Sequence, residues 1–283
     1  MLRIKAGRYS NGSHQRRSCI SGGPLAVAAP LLRLVGVDVR FGDAHALRGI
    51  DLDVAPGERV ALVGPSGAGK STLLGLCNAT AVPSAGLVEF RGEQVVDTDA
   101  WRRSHGRRIG TVHQQLNLVP SLRVVHNVNA GRLADWSTAK ALFSLIRPRE
   151  TSRVQDALHA VGITDKINMR TDQLSGGEQQ RVAIARVLVQ GPALVLADEP
   201  VAALDPARAD EVVALLVGQA ARVDSALLIS LHTFALARRH CDRIVGLRDG
   251  VVVFDRPASA VSDDDADELY RIIPRPTLRS SAR

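Results

Sequence analysis

The sequence predicts an α/β fold with a mostly parallel core sheet, an N-terminal antiparallel β subdomain and an inserted α-helical subdomain. Three observations carry this reading. A glycine-rich loop, GPSGAGKST at residues 64–72, joins an apolar run to a helical one. Further short apolar runs lie downstream, continuous rather than alternating, as strands buried on both faces of a parallel sheet are. From Gln115 to Gln190, apolar residues recur at three- and four-residue spacing, the period of a helix face.

Taken in order, LLRLVGVDVRF from Leu31 and LRGIDLDV from Leu47 read as antiparallel strands, turned at Gly42 and Asp43 and closed by Ala55-Pro56-Gly57. RVALVG (59–64) is an apolar strand that runs into the glycine-rich loop and a helix from about Lys70, a strand-loop-helix unit. RIGTVHQ (108–114), ALVLADE (193–199), ALLISLH (226–232) and RIVGLRDG (243–250) supply the remaining core strands. RVQDALHAVGI and EQQRVAIARVLV are the clearest helical stretches of the insertion at about residues 115–190. SDDDADELYRII reads as one short capped helix. One domain is thus expected over residues 31–270, preceded by a basic, disordered extension at 1–30 and followed by a flexible tail at 271–283.

Composition narrows the functional classes. The 283 residues are 45% hydrophobic but only 3% aromatic, so aliphatic packing dominates an ample core. The longest apolar runs, such as VVALLV (212–217), fall far short of the roughly 20 residues that cross a bilayer, so no membrane span is expected. Five charges of the net +7 come from Arg3, Lys5, Arg8, Arg16 and Arg17, in a stretch with no acid. The cluster of Arg102, Arg103, Arg107 and Arg108 has no aromatic ladder beside it and reads as a solvated face, which argues against nucleic acid as a partner. Cys19, Cys77 and Cys241 form no metal-ligand pattern and fit structural thiols in a reducing compartment. RRSCISGGPLAVAAPLL (16–32) faintly resembles an export signal, but Pro24 and Pro30 interrupt its apolar run.

The chemistry lies in three stretches. GPSGAGKS fits G-x-x-x-x-G-K-[ST]: the backbone of Gly64, Pro65, Ser66, Gly67, Ala68 and Gly69 wraps phosphates, with Thr72 just beyond. Lys70 reaches the β/γ oxygens and Ser71 offers its hydroxyl to Mg²⁺. ALVLADE ends an apolar strand in two acids at the sheet edge where ligands of open α/β sheets bind. There Asp198 reaches the metal, and Glu199 orients and deprotonates the attacking water. Alone, an Asp-Glu pair is a charged strand end; beside the phosphate loop it indicates a P-loop nucleotide hydrolase or kinase. LSGGEQQ (174–180) then sets a serine and two glycines at the head of a helix, a second anion grip in a chain that already has one.

LSGGEQQRVAIAR resembles the signature sequence of ATP-binding cassette (ABC) ATPases, and the resemblance extends from about Leu31 to Tyr270 with the family's elements in order. Gln114 matches the Q-loop, Leu174 to Glu178 the signature, Asp198 and Glu199 the paired acids, Ala203 to Asp205 the D-loop, and His232 the switch histidine. The resemblance implies a P-loop NTPase cassette that binds ATP and Mg²⁺, with Gln114 joining Ser71 and Asp198 at the metal. It implies a head-to-tail homodimer in which Ser175, Gly176, Gly177 and Glu178 close on the γ-phosphate held by the other subunit, with Asp205 beside them. The second grip then belongs to the partner's nucleotide. His232 would contact the γ-phosphate, and Phe41, 23 residues before Gly64, would stack on adenine unless it is core. Glu178 replaces the family's commoner glutamine, and His113 occupies a usually apolar or aromatic position.

Within the family, IGTVHQQLNLVPSL, AGRL (130–133), ALFSLIRPRE, LADEPVAALDP, ISLH and DRIVGLRDGVVVFD are similar to ATP-binding subunits of phosphonate importers. That implies integral membrane permease subunits as direct partners, a periplasmic solute-binding protein as an indirect one, and a place on the cytoplasmic face of the bacterial inner membrane. The rival lipoprotein-release or macrolide-export type usually follows the acids with Thr-Gly, where this chain has Val201-Ala202. A soluble cassette ATPase acting on nucleic acid is the rival from another class; it usually carries paired cassettes or long coiled coils, and neither is present.

Overall fold

The computed structural model describes residues 29–137, 151–202 and 204–271. Most of the basic extension, ALFSLIRPRE (141–150), Ala203 of the D-loop and the tail beyond Arg271 lie outside these residues.

Two sheets form the frame. The first, in the order β2-β1-β4-β5, comprises β1 (Leu32–Phe41), β2 (Ala44–Val54), β4 (Ala85–Phe90) and β5 (Glu93–Gln94), all antiparallel. The second, in the order β10-β9-β3-β8-β7-β6, comprises β3 (Arg59–Val63), β6 (Ile109–Val112), β7 (Leu194–Ala197), β8 (Ala226–Leu231), β9 (Arg243–Arg248) and β10 (Val251–Pro257). Its strands β9-β3-β8-β7-β6 pair in parallel, and only the edge strand β10 runs the other way. The expected hairpin turn at Gly42 and Asp43 pairs Phe41 with Ala44, with Gly42 in the left-handed conformation a tight turn requires.

β7 and β8 are buried at every position, so the absence of alternation in their sequences has a direct cause: both faces are covered. Along β3, Ala61 and Val63 face one core while Val60 and Leu62 face the other. On the first face pack α3 (Val124–Asn129), α4 (Thr151–Ala160), α5 (Gly176–Gln190), α6 (Pro206–Arg222), α7 (Phe234–His240) and α8 (Asp263–Tyr270). The second face holds α1 (Lys70–Cys77) and the antiparallel sheet, with Trp101 of α2 (Asp99–His105) at its margin. Residues 115–123 form no helix; α3, α4 and the N-terminal half of α5 make up the helical lobe, while the far end of α5 returns to the sheet, where the Gln190 amide donates to the carbonyls of Gly106 and Ile109. Among the described residues no helix is long and apolar enough to cross a membrane.

The parallel arrangement sends the C-terminal ends of β3, β6, β7 and β8 to one edge, and there the motif residues Gly64, Gln114, Asp198 and His232 follow their strands.

Candidate functional site

The loop from β3 to α1 is shaped by glycines that nothing else could replace. Gly64 sits at φ +153°, and a β-carbon there would lie 2.0 Å from the Leu247 carbonyl oxygen. At Gly69, φ is +103° and a β-carbon would meet Ala46 and Leu47 within 3 Å. The Ala68 amide donates to the Pro65 carbonyl at 3.1 Å and the Gly250 amide to the Ala68 carbonyl at 3.1 Å, pinning the loop from both sides. Helix α1 begins without a side-chain cap and without an acid in its first turn, so its leading N–H groups and dipole face an incoming anion.

Lys70, the first residue of α1, is 4% exposed. Its ammonium donates to the carbonyls of Gly64 at 2.9 Å and Pro65 at 3.1 Å, and lies 3.7 Å from Glu199 Oε1. Burial pushes the Lys70 pKa down, and the nearby carboxylates of Glu199 and Asp198 oppose that shift.

Two acids follow β7. The Asp198 amide donates to Val112 at 2.9 Å, and one carboxylate oxygen accepts from the hydroxyls of Ser71 at 3.1 Å and Ser230 at 2.9 Å. Glu199 adopts φ +45°, a left-handed conformation that costs a non-glycine residue about 1–2 kcal/mol. The strained turn is held by its own amide, which donates to the buried Ser230 hydroxyl at 2.7 Å. Its side chain places Oε1 2.8 Å from His232 Nε2. Lys70, Ser71, Asp198, Glu199 and His232 therefore form one connected group at the sheet edge.

Gln114 is exposed two residues beyond Val112, which pairs with Ala197, so it emerges beside the acid pair. Its neighbour His113 is half-buried; burial lowers its pKa, Arg186 adds to the shift and Asp198 opposes it. The Arg186 guanidinium donates to the carbonyls of Leu116 at 2.9 Å and Asn117 at 2.8 Å, tying the segment after Gln114 to α5.

The LSGGE stretch stands apart from this group. Ser175 caps α5, accepting from the Glu178 amide at 3.3 Å, while the Glu178 carboxylate accepts from the Ser175 amide at 2.8 Å. Glu178 also lies 3.5 Å from the Lys166 ammonium, and its pKa is lowered chiefly by the Ser175 amide. Gly176 and Gly177 have ordinary negative φ, and a β-carbon on either would meet nothing within 4 Å. Among the described residues, neither conformation nor packing calls for glycine at these two positions.

Two other residues receive clearer surroundings. Phe41 is 60% exposed at the β1–β2 turn, which excludes the core alternative. Asp205 caps α6, accepting from the Arg208 amide at 3.1 Å. Ser230, which ties the two acids together, escaped notice as a site residue; its sequence signal was the one hydroxyl inside the apolar run ALLISL.

A phosphate loop on a parallel sheet, a paired acid site and a capped serine-glycine turn in a helical lobe define an ATP-binding cassette. A family profile described as ABC transporter matches residues 47–202, and the chain belongs to that family. Among curated relatives it is 49% identical over 265 residues to the phosphonates import ATP-binding protein PhnC of Anaeromyxobacter dehalogenans, covering 90% of this chain and 53% of that one. The chain thus spans about half the length of that relative. It is 44% identical to the PhnC of Pseudomonas putida (87% of this chain, 93% of that one) and 49% identical to PhnC 1 of Pseudomonas aeruginosa (84% and 90%). Among solved structures, cbiO1 of Clostridium perfringens, part of the ABC transporter complex cbiONQ, superposes with TM-score 0.73 at 28% identity over 85% of this chain and 94% of that one. A dimeric ATP-binding cassette in a post-hydrolysis state with ADP and Pi superposes with TM-score 0.69 at 30% identity over 80% of this chain and 98% of that one.

Proposed function

We propose that this chain is the ATP-hydrolysing subunit of an importer for phosphonate or a related phosphorus oxyanion, working as a head-to-tail homodimer docked on separate membrane permease subunits at the cytoplasmic face of the inner membrane, and fed by a periplasmic solute-binding protein. The hydrolytic half of the reading rests on one observation: the Glu199 carboxylate lies 2.8 Å from His232 and 3.7 Å from Lys70, beside the Ser71–Asp198 pair. The solute is suggested by the names of the relatives alone.

Lys70 and His232 both lie against Glu199, at 3.7 and 2.8 Å. The γ-phosphate of ATP competes for both. Drawn to it, they leave the carboxylate free to accept a proton from the attacking water, so that binding itself prepares the base. A hydroxyl and a carboxylate converging at 3.1 Å fit Mg²⁺, which takes one or two protein oxygens and fills its shell with phosphate and water; Gln114 emerges on the same side. When bound, the ion supplies charge neutralisation at the β- and γ-phosphate oxygens. Phe41, exposed at its turn, offers a π face for adenine. The open surface at Gly176 and Gly177 supports the dimer: glycines unexplained by their own chain suit close approach by another molecule's phosphate.

Co-purification with permease subunits, together with ATP-dependent uptake of labelled methylphosphonate by the assembled complex, tests the reading. A complex that hydrolyses ATP but neither binds nor moves phosphonate removes the solute assignment. Nucleic-acid affinity that persists after deletion of residues 1–30 and falls with salt would point to the other class.

A further inference from the structure

Helix α8, the last helix among the described residues, lies outside the phosphate loop yet is fastened to the segment that carries His232. The Tyr270 hydroxyl donates to the main-chain carbonyl of His232 at 3.0 Å. Its ring meets Phe234, the first residue of α7, edge-on with centroids 5.9 Å apart, and Phe234 in turn packs on Phe254. Burial raises the Tyr270 pKa above its ordinary value, opposed by the main chain of Gly64 at the start of the phosphate loop, which the hydroxyl also meets; the phenol keeps its proton and stays a donor at neutral pH.

The helix is itself held in place. Ser262 and Asp265 close a capping box at its start, and Leu269 is fully buried at its end. Arg256 of β10 grips Asp265 at 2.9 Å, Arg248 at the end of β9 donates to the Glu268 carbonyl at 2.6 Å, and Arg238 of α7 pairs with Asp263. One element thereby grips both the His232 turn and the helix after it: Tyr270 holds the His232 carbonyl, and Asp263 holds Arg238.

We propose that Tyr270 is a positioning residue for His232, fixing the backbone from which the imidazole reaches Glu199 and the γ-phosphate, and that α8 acts as a brace on ATP hydrolysis. The proposal rests on the role given to His232 above.

A double-mutant cycle with Tyr270→Phe and His232→Ala tests it, reading kcat from phosphate release, ATP affinity by titration and melting temperature. Tyr270→Phe removes one hydroxyl and keeps the ring packing; if the bond to His232 is the one that matters, kcat is expected to fall roughly three- to tenfold while ATP affinity, which reports the hydroxyl's contact with Gly64 of the phosphate loop, stays within about twofold. In the His232→Ala background the same change should have no further effect, because there is no imidazole left to place. An undiminished fall in that background, a parallel fall in ATP affinity, or an unchanged kcat overturns the proposal, the second by pointing to the phosphate loop instead. Full turnover in His232→Ala alone would remove the histidine's own role and the proposal with it; a damaged His232→Ala beside a neutral Tyr270→Phe removes only the proposal.

Discussion

Replacing Glu199 by glutamine tests the hydrolytic site most directly, because the amide keeps the shape of the side chain and removes its charge and basicity. The structure lets the two consequences be separated. Lys70 keeps its bonds to the Gly64 and Pro65 carbonyls at 2.9 and 3.1 Å, so its position does not depend on Glu199. A carboxylate next to the γ-phosphate site repels the nucleotide, and an amide does not; ATP affinity should therefore be equal or greater. The rate behaves differently. A positioned base contributes about 10²–10⁴-fold, so turnover should fall roughly a hundredfold or more, which is about 2.7 kcal/mol or more of barrier. Phosphate release at saturating ATP and Mg²⁺ gives the rate, titration gives the affinity, and size-exclusion with light scattering shows whether ATP now accumulates a dimer. Turnover within a few-fold of the parent would refute the base assignment. Lost ATP binding would show instead that Glu199 serves Lys70 as a counter-ion.

Further outcomes are expected. Lys70→Ala and Ser175→Arg chains, each inactive alone, should regain activity on mixing: random pairing makes about half the dimers mixed, each with one intact site, or roughly a quarter of parental turnover if the sites act independently; no recovery leaves Ser175 without a role across an interface. Gly64→Ala should fold poorly, since its β-carbon would overlap the Leu247 carbonyl, whereas Gly177→Ala, in the first turn of α5 with open space around its β-carbon, should melt near the parental temperature and yet lose ATPase activity; a Gly177→Ala chain that unfolds would place the need for glycine inside the chain. Asp242 holds Arg59 at the starts of β9 and β3, and this guanidinium keeps its carboxyl below the usual range. A depressed carboxylate stabilises the fold above its unfolded pKa and stops doing so as pH falls through the folded value. Asp242→Asn should therefore cost about 0.5–1 kcal/mol at neutral pH, the pair being partly exposed, with the difference from the parent shrinking in acid; a pH-independent difference in melting temperature contradicts the linkage.

Much of this molecule was legible in its sequence, and the exceptions have physical causes. β3, β7 and β8 announced themselves because burial on both faces demands uninterrupted aliphatic residues. β4 and β5 did not: AGLVEF holds a glycine at φ +83° and only two fully buried side chains, and β5 is two residues long. β10 lies at the sheet edge and is mostly open to solvent, so its burial pattern is weak. The phosphate loop, Asp198, Glu199 and His232 were found from residue type and order. Ser230 and Tyr270 act on this group through distances of 2.7 to 3.0 Å created only by folding, across 31 and 38 residues of chain, and a hydroxyl carries no label for the partner it will meet.

The LSGGE turn differs from both groups, since the sequence showed its importance while the chain's own structure withholds its reason. Gly64 and Gly69 are glycines because the Leu247 and Ala46 carbonyls leave no room for a β-carbon; their cause lies in the same chain. Among the described residues Gly176 and Gly177 meet no such obstacle and take ordinary helical backbone in the first turn of α5. A glycine pair that nothing among the described residues requires fits the proposed contact with a second subunit. The capping box bears on the same point: Ser175 and Glu178 already satisfy each other, so the turn is held by two hydrogen bonds of its own. A pre-formed, uncrowded, amide-rich corner is suited to receive a phosphate presented by another subunit, and it requires no rearrangement of this one.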